Sequence, residues 1–256
     1  MDNTLLVGLS RQVALARELD VVANNVANMN TAGFKADGSI FEEFLSPTAQ
    51  AGSPILADRK ISFVQDRGTW HDLSAGAFER TGNPLDVAID GKGFLVVNTP
   101  RGERYTRNGA LQIGPTGTLV TSDGFEVAGE SGPITLQRTD RSISISAEGT
   151  ISVREGSSIQ DTPRGKLRLV SFDPAQASRL NKEGGGLFAA PQGLAAQPEI
   201  NSKFVQHTIE KSNVRGVVEI TRMIELSRSY SQVAAILQQQ SEMRTSAISK
   251  LADVPA

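Results

Sequence analysis

Cysteine is absent from this 256-residue chain, and histidine occurs only twice, at His71 and His207. The first absence excludes disulfides, thiolate catalysis and cysteine-ligated zinc together. Neither histidine has carboxylates at metal-ligand spacing, so no metal site is expected. Aromatic residues make up only 5% of the chain, so any core must be mainly aliphatic. No apolar run approaches the roughly 20 residues needed to cross a bilayer, and no membrane insertion is expected. The opening Met1-Asp2-Asn3-Thr4-Leu5 lacks the basic region of a cleaved secretory signal. A formal net charge of −2 and a pI near 5.8 leave no electrostatic footprint for nucleic acid.

Motifs that could carry catalysis fail on inspection. Asp86-Val87-Ala88-Ile89-Asp90-Gly91 brushes a calcium-binding loop, but Ala88 stands where an oxygen ligand belongs and Val97 where the bidentate Glu belongs. Gly91-Lys92-Gly93 lacks the preceding Gly and following Ser/Thr of a phosphate loop. Gly129-Glu130-Ser131-Gly132-Pro133 misses the nucleophile elbow because Pro133 replaces its last Gly. No catalytic residue and no cofactor is expected.

What is present is a division by periodicity. Leu9, Val13, Ala16, Leu19, Ala23 and Val26 recur at helical spacing, and the chain predicts a helix from about Asn3 to about Asn28. Asparagines Asn24, Asn25, Asn28 and Asn30 crowd its exit, and Thr31-Ala32-Gly33 supplies a turn in which Gly33 takes positive φ before Phe34. At the other end, Met223, Leu226, Tyr230, Val233 and Leu237 step by three and four, the period of a heptad seam that wants a partner helix. This second helix is expected from about Val214 to about Lys250, with Ser212 or Asn213 as its cap and Glu219–Arg222 and Glu225–Arg228 as ion pairs along its face.

Between the helices the pattern is β. Residues 34–80 read as an extended connector broken by Pro47, Gly52 and Pro54, with Lys60–Val64 and the stretch around Trp70 as candidate strands and room for one hairpin. From 81 to 200 short apolar runs alternate with turn signals at Asp90-Gly91, Asn108-Gly109, Gly114-Pro115, Asp123-Gly124 and Glu148-Gly149. The expected architecture is α+β: residues 1–33 and 201–256 supply helices that pair as a coiled coil, and 81–200 form a mainly antiparallel β domain. Two terminal helices flanking a body complete without them point to assembly. The rival is a soluble β-domain hydrolase or ligand-binding protein whose helices serve only its own core.

Particular residues narrow this further. Asp20-Val21-Val22-Ala23-Asn24-Asn25-Val26-Ala27-Asn28-Met29-Asn30-Thr31-Ala32-Gly33-Phe34-Lys35 resembles the N-terminal signature of bacterial flagellar rod and hook proteins. Thr81–Phe94, Tyr105-Thr106-Arg107-Asn108-Gly109, and Ser212-Asn213-Val214 with Glu219–Leu226 are similar to the same family. The Arg215-Gly216 pair departs from the Asn-Pro that relatives often carry there. Length and the Met1-Asp2-Asn3 start resemble the proximal-rod members, with distal-rod members as the alternative. The resemblance implies a structural subunit that stacks helically around the export channel and transmits torque. It also implies heterologous contacts with itself and other rod subunits, delivery by the flagellar type III export apparatus, and a periplasm-spanning basal body as destination.

Overall fold

The computed structural model describes residues 2–46, 61–156 and 160–252, which fall into two compact units. Pro47, Gly52, Pro54 and Lys60 lie outside the described residues.

The first unit joins both terminal helices to a hairpin. Helix α1 runs Asp2–Ala27 and the C-terminal helix Gly216–Ala252. At 1.5 Å per residue these are rods of about 39 and 55 Å. They lie antiparallel: a Cβ added to Gly8 would come within 2.6 Å of Leu237, Glu18 pairs with Arg222 at 2.5 Å, and Asn25 meets Glu219 at 3.2 Å. The strands Asp37–Ser46 and Ile61–His71 pair antiparallel with a bulge after Ile40, and α1 packs against this hairpin as well as the C-terminal helix. That second contact sets its buried face at Ala14, Val21, Val22 and Asn25.

The second unit comprises residues 28–36 and Leu73–Val214. Its central strand, Phe94–Thr99, pairs with Gly102–Thr106, Glu126–Gly129 and Leu169–Ser171. Successive side chains on a strand point to opposite faces, and both faces here are covered. Leu95 and Val97 enter a core with Val87, Ile89, Leu119, Ile151 and Phe204. Phe94 and Val96 enter another with Tyr105, Phe172 and Phe188. That is why Phe94-Leu95-Val96-Val97 is apolar throughout instead of alternating.

Turn signals divide into two kinds. Asp123-Gly124 and Glu148-Gly149 close true hairpins, with Gly124 at φ 83° and Gly149 at φ 87°. Asn108-Gly109 does not. Gly109 lies outside the left-handed region, and a Cβ there would sit 1.7 Å from the carbonyl oxygen of Val87. Glycine is required for close backbone approach, not for turn geometry. Asp90-Gly91 likewise fails to fold Val87–Asp90 onto Phe94–Thr99, because Val87–Asp90 pairs with Lys203–Gln206. That pairing, and the burial of Phe204 and Glu210, extend the unit to Val214, beyond the expected 81–200.

Candidate assembly site

The helix exit is organised by side-chain amides of unequal role. Asn25 is 1% exposed, donates from Nδ2 to the Asp37 carbonyl (2.8 Å) and to Glu219 Oε2 (3.2 Å), and accepts from the Asp37 N–H at Oδ1 (2.9 Å). Asp37 also meets His71 Nδ1 at 2.7 Å across the base of the hairpin. Asn28 accepts from Thr31 Oγ1, whereas Asn24 and Asn30 are exposed. With Glu219 turned to Asn25 and Arg222 to Glu18, these two residues bridge helices. The expected Glu219–Arg222 pairing along one helix gives way to that, since both groups find partners on the facing helix.

Gly33 takes φ 67°, and a Cβ on it would lie 2.3 Å from the carbonyl carbon of Arg107. Phe34 is buried beneath the Lys182 ammonium, 3.4 Å from its ring centroid. Lys35 is among the largest fully buried side chains. Its Nζ donates to Glu210 Oε1 at 2.5 Å and to the Ser74 carbonyl at 2.6 Å. Arg107 reaches Glu210 Oε2 through Nε at 3.0 Å and spends its other donors on the carbonyls of Ile89, Gly91 and Gly93. Burying two cations and one anion is tolerated only with such complete partnering. Glu210 and the role of Arg107 are not legible in the sequence, since an isolated Glu at the end of a short strand carries no pattern. Neither Ser212 nor Asn213 caps the C-terminal helix. Arg215 accepts its first backbone bond from Glu219, while Asn213 Oδ1 accepts from the Ala36 N–H.

Along the heptad seam Leu226 is buried, and Met223, Tyr230, Val233 and Leu237 are half-buried. Of the facing set, Ala16 and Leu19 are half-buried, whereas Leu9 is 49% and Val13 61% exposed. Leu6, Leu9 and Val13 therefore leave one apolar stripe in solvent, and Val217, Ile220 and Ile224 leave another. Every residue from Ser241 to Lys250 is exposed. Among the described residues no group of three His, Cys, Asp or Glu could hold a metal, and no helix is long and apolar enough to cross a membrane.

Three family models cover this chain in order. "Flagella basal body rod protein" matches residues 5–35, "Flagellar hook protein FlgE/F/G D1 domain" 88–153, and "Flagellar basal body rod FlgEFG protein C-terminal" 205–250. A flagellar basal-body rod protein FlgF of Caulobacter vibrioides is 37% identical over 99% of this chain and all of its own length. The chain belongs to the flagellar basal-body rod protein family. A FlgF of Salmonella typhimurium is 34% identical over 90% of both chains. A FlgG of Bacillus subtilis is 32% identical over 93% of this chain and 94% of its own. This rod subunit is thus a structural component of the flagellar basal body and not an enzyme. The matched segments 5–35 and 205–250 contain both halves of the Lys35–Glu210 pair.

Proposed function

We propose that this subunit belongs to the proximal rod, that its terminal helices pair as a coiled coil in an inner layer, and that subunits stack helically around a central channel to transmit torque. The observation that carries the reading is the pair of exposed stripes, Leu6–Leu9–Val13 and Val217–Ile220–Ile224, on helices that already share a partner. Contiguous apolar surface on paired helices is a surface for further neighbours. Leu9, Val13, Ala16, Leu19, Met223, Leu226, Tyr230, Val233 and Leu237 divide between the two roles, one set holding the helix pair and the other meeting adjacent subunits. Asn24 and Asn30 add polar inter-subunit contacts. Because the two helices present different stripes, contacts are heterologous and need not close into a dimer. The subunit is delivered unfolded by the flagellar type III export apparatus to a periplasm-spanning rod.

Proximal placement is favoured by the end-to-end match to a FlgF. The 32% identity to a FlgG keeps distal placement as the second reading. Deleting the gene and imaging purified basal bodies tests both. Proximal placement predicts that structure beyond the inner-membrane ring is lost. Distal placement predicts a short proximal stub. An intact rod and hook contradicts both.

A further inference from the structure

The ion triad joins segments far apart in the chain, and each outer segment leads directly into a terminal helix. Residues 28–36 continue from α1, which ends at Ala27, and Glu210–Asn213 continue into the helix that begins at Gly216. Both are fastened at one carboxylate. Glu210 Oε1 accepts from Lys35 Nζ and from the Gly76 N–H (2.9 Å), and Oε2 takes the Arg107 guanidinium at 2.9 Å. The Glu210 backbone carbonyl accepts the Gly33 N–H at 2.7 Å. Side chains of Lys35 and Glu210 are 0% exposed and that of Arg107 is 3% exposed. Arg107 carries the connection inward, through the Gly91 and Gly93 carbonyls, to the turn that starts the central strand Phe94–Thr99.

We infer that Glu210 is a mechanical clamp, through which a pull on either terminal helix is passed to the central strand by buried ion pairs. In its absence the same pull would peel first the three-residue strand Thr208–Glu210 from Phe78–Arg80 and then Lys203–Gln206 from Val87–Asp90, ladders that open one hydrogen-bonded pair at a time. A carboxylate shared by two dry cations yields differently. Separating any one pair strands an unneutralised buried charge, so the three groups resist together. The inference rests on the reading that neighbouring subunits grip the helices, but it concerns a property of the single chain.

The absence of cysteine allows a direct test. Asn30→Cys and Arg215→Cys, both at exposed positions just outside the clamp, place the only two thiols in the full chain as handles for single-molecule stretching. The expected result is one rupture event whose force falls to about half or less in Glu210→Gln and by a smaller amount in Lys35→Met, which keeps the Arg107–Glu210 pair. Arg154→Met, which removes the exposed pair to Asp161, leaves the force unchanged. Equal forces in the parent, Glu210→Gln and Lys35→Met overturn the clamp, as does an equal drop in Arg154→Met. Should Glu210→Gln not fold, Lys35→Met decides alone: a lowered force supports the clamp and an unchanged one overturns it. Because this measurement uses isolated chain, its failure leaves the basal-body imaging result untouched, and the converse holds.

Discussion

Asn25 reads the backbone of Asp37 at two points, donating to its carbonyl at 2.8 Å and accepting its N–H at 2.9 Å, as a neighbouring strand would. One side-chain amide thereby closes the base of the hairpin onto the end of α1. Its second Nδ2 contact, to Glu219 at 3.2 Å, brings in the C-terminal helix. Asn25→Leu removes three bonds and leaves the half-buried Asp37 N–H and carbonyl without that partner, so it should lower stability by about 2–4 kcal/mol. Chemical denaturation of the purified chain measures this. A loss no greater than that of Asn24→Leu, at an exposed neighbour, would contradict the assigned role.

Gly33 and Gly82 form an internal control for backbone strain. Both lie at positive φ, 67° and 76°, but a Cβ on Gly82 meets nothing within 4 Å. Gly82→Ala should cost about 1 kcal/mol, from the left-handed conformation alone. Gly33→Ala must also displace the Arg107–Asn108 peptide and should cost more than about 3 kcal/mol, with Gly33→Val worse. Similar losses at the two positions would show that close packing at Gly33 is unimportant.

Asp140 gives a pH signature. The Arg164 guanidinium bonds both its oxygens, at 3.0 and 2.5 Å, and together with the Gln137 N–H holds its carboxyl below the usual range. A carboxylate with a depressed folded-state pKa contributes stability that is present above its unfolded value near 3.8 and is lost as pH falls through the lower folded value. Arg164→Met should therefore lower stability at neutral pH, and the gap to the parent chain should narrow below about pH 4. Thermal melts at pH 7 and pH 3 check the sign; a gap that widens in acid would refute it.

The two helices were legible in the sequence to within a few residues, because 3.6-residue periodicity survives wherever one face is buried. Leu226 lies on that periodic stripe and is 9% exposed. Which face of α1 turns inward was not legible. Leu9, Val13 and Val22 are equally apolar, and the choice depends on the hairpin Asp37–His71, whose second strand shows little alternation. Gly33 was readable because turn chemistry is local. Glu210 was not, since its partners lie 175 and 103 residues away and charge at one position has no period. Asn108-Gly109 misled because glycine answers two demands, positive φ and absence of Cβ, and sequence does not distinguish them.

Leu226 is 9% exposed and Ile224 47%, on one helix two positions apart. Leu226→Ala should cost the isolated chain about 2–4 kcal/mol through the cavity it opens. Ile224→Ala should cost less than about 1 kcal/mol, since surface truncations leave nothing unfilled. Comparable losses in the two variants would mean that the C-terminal helix buries a different face.

The central claim is that α1 keeps Leu9 and Val13 exposed in the single chain because neighbouring rod subunits cover them. A Leu9→Asp/Val13→Asp chain, expressed in the deletion strain, tests it through imaging of purified basal bodies. The account predicts that the purified variant melts within a few degrees of the parent, that cells do not swim, and that basal bodies lack structure beyond the inner-membrane ring. Complete rods and normal swimming with this variant would contradict it.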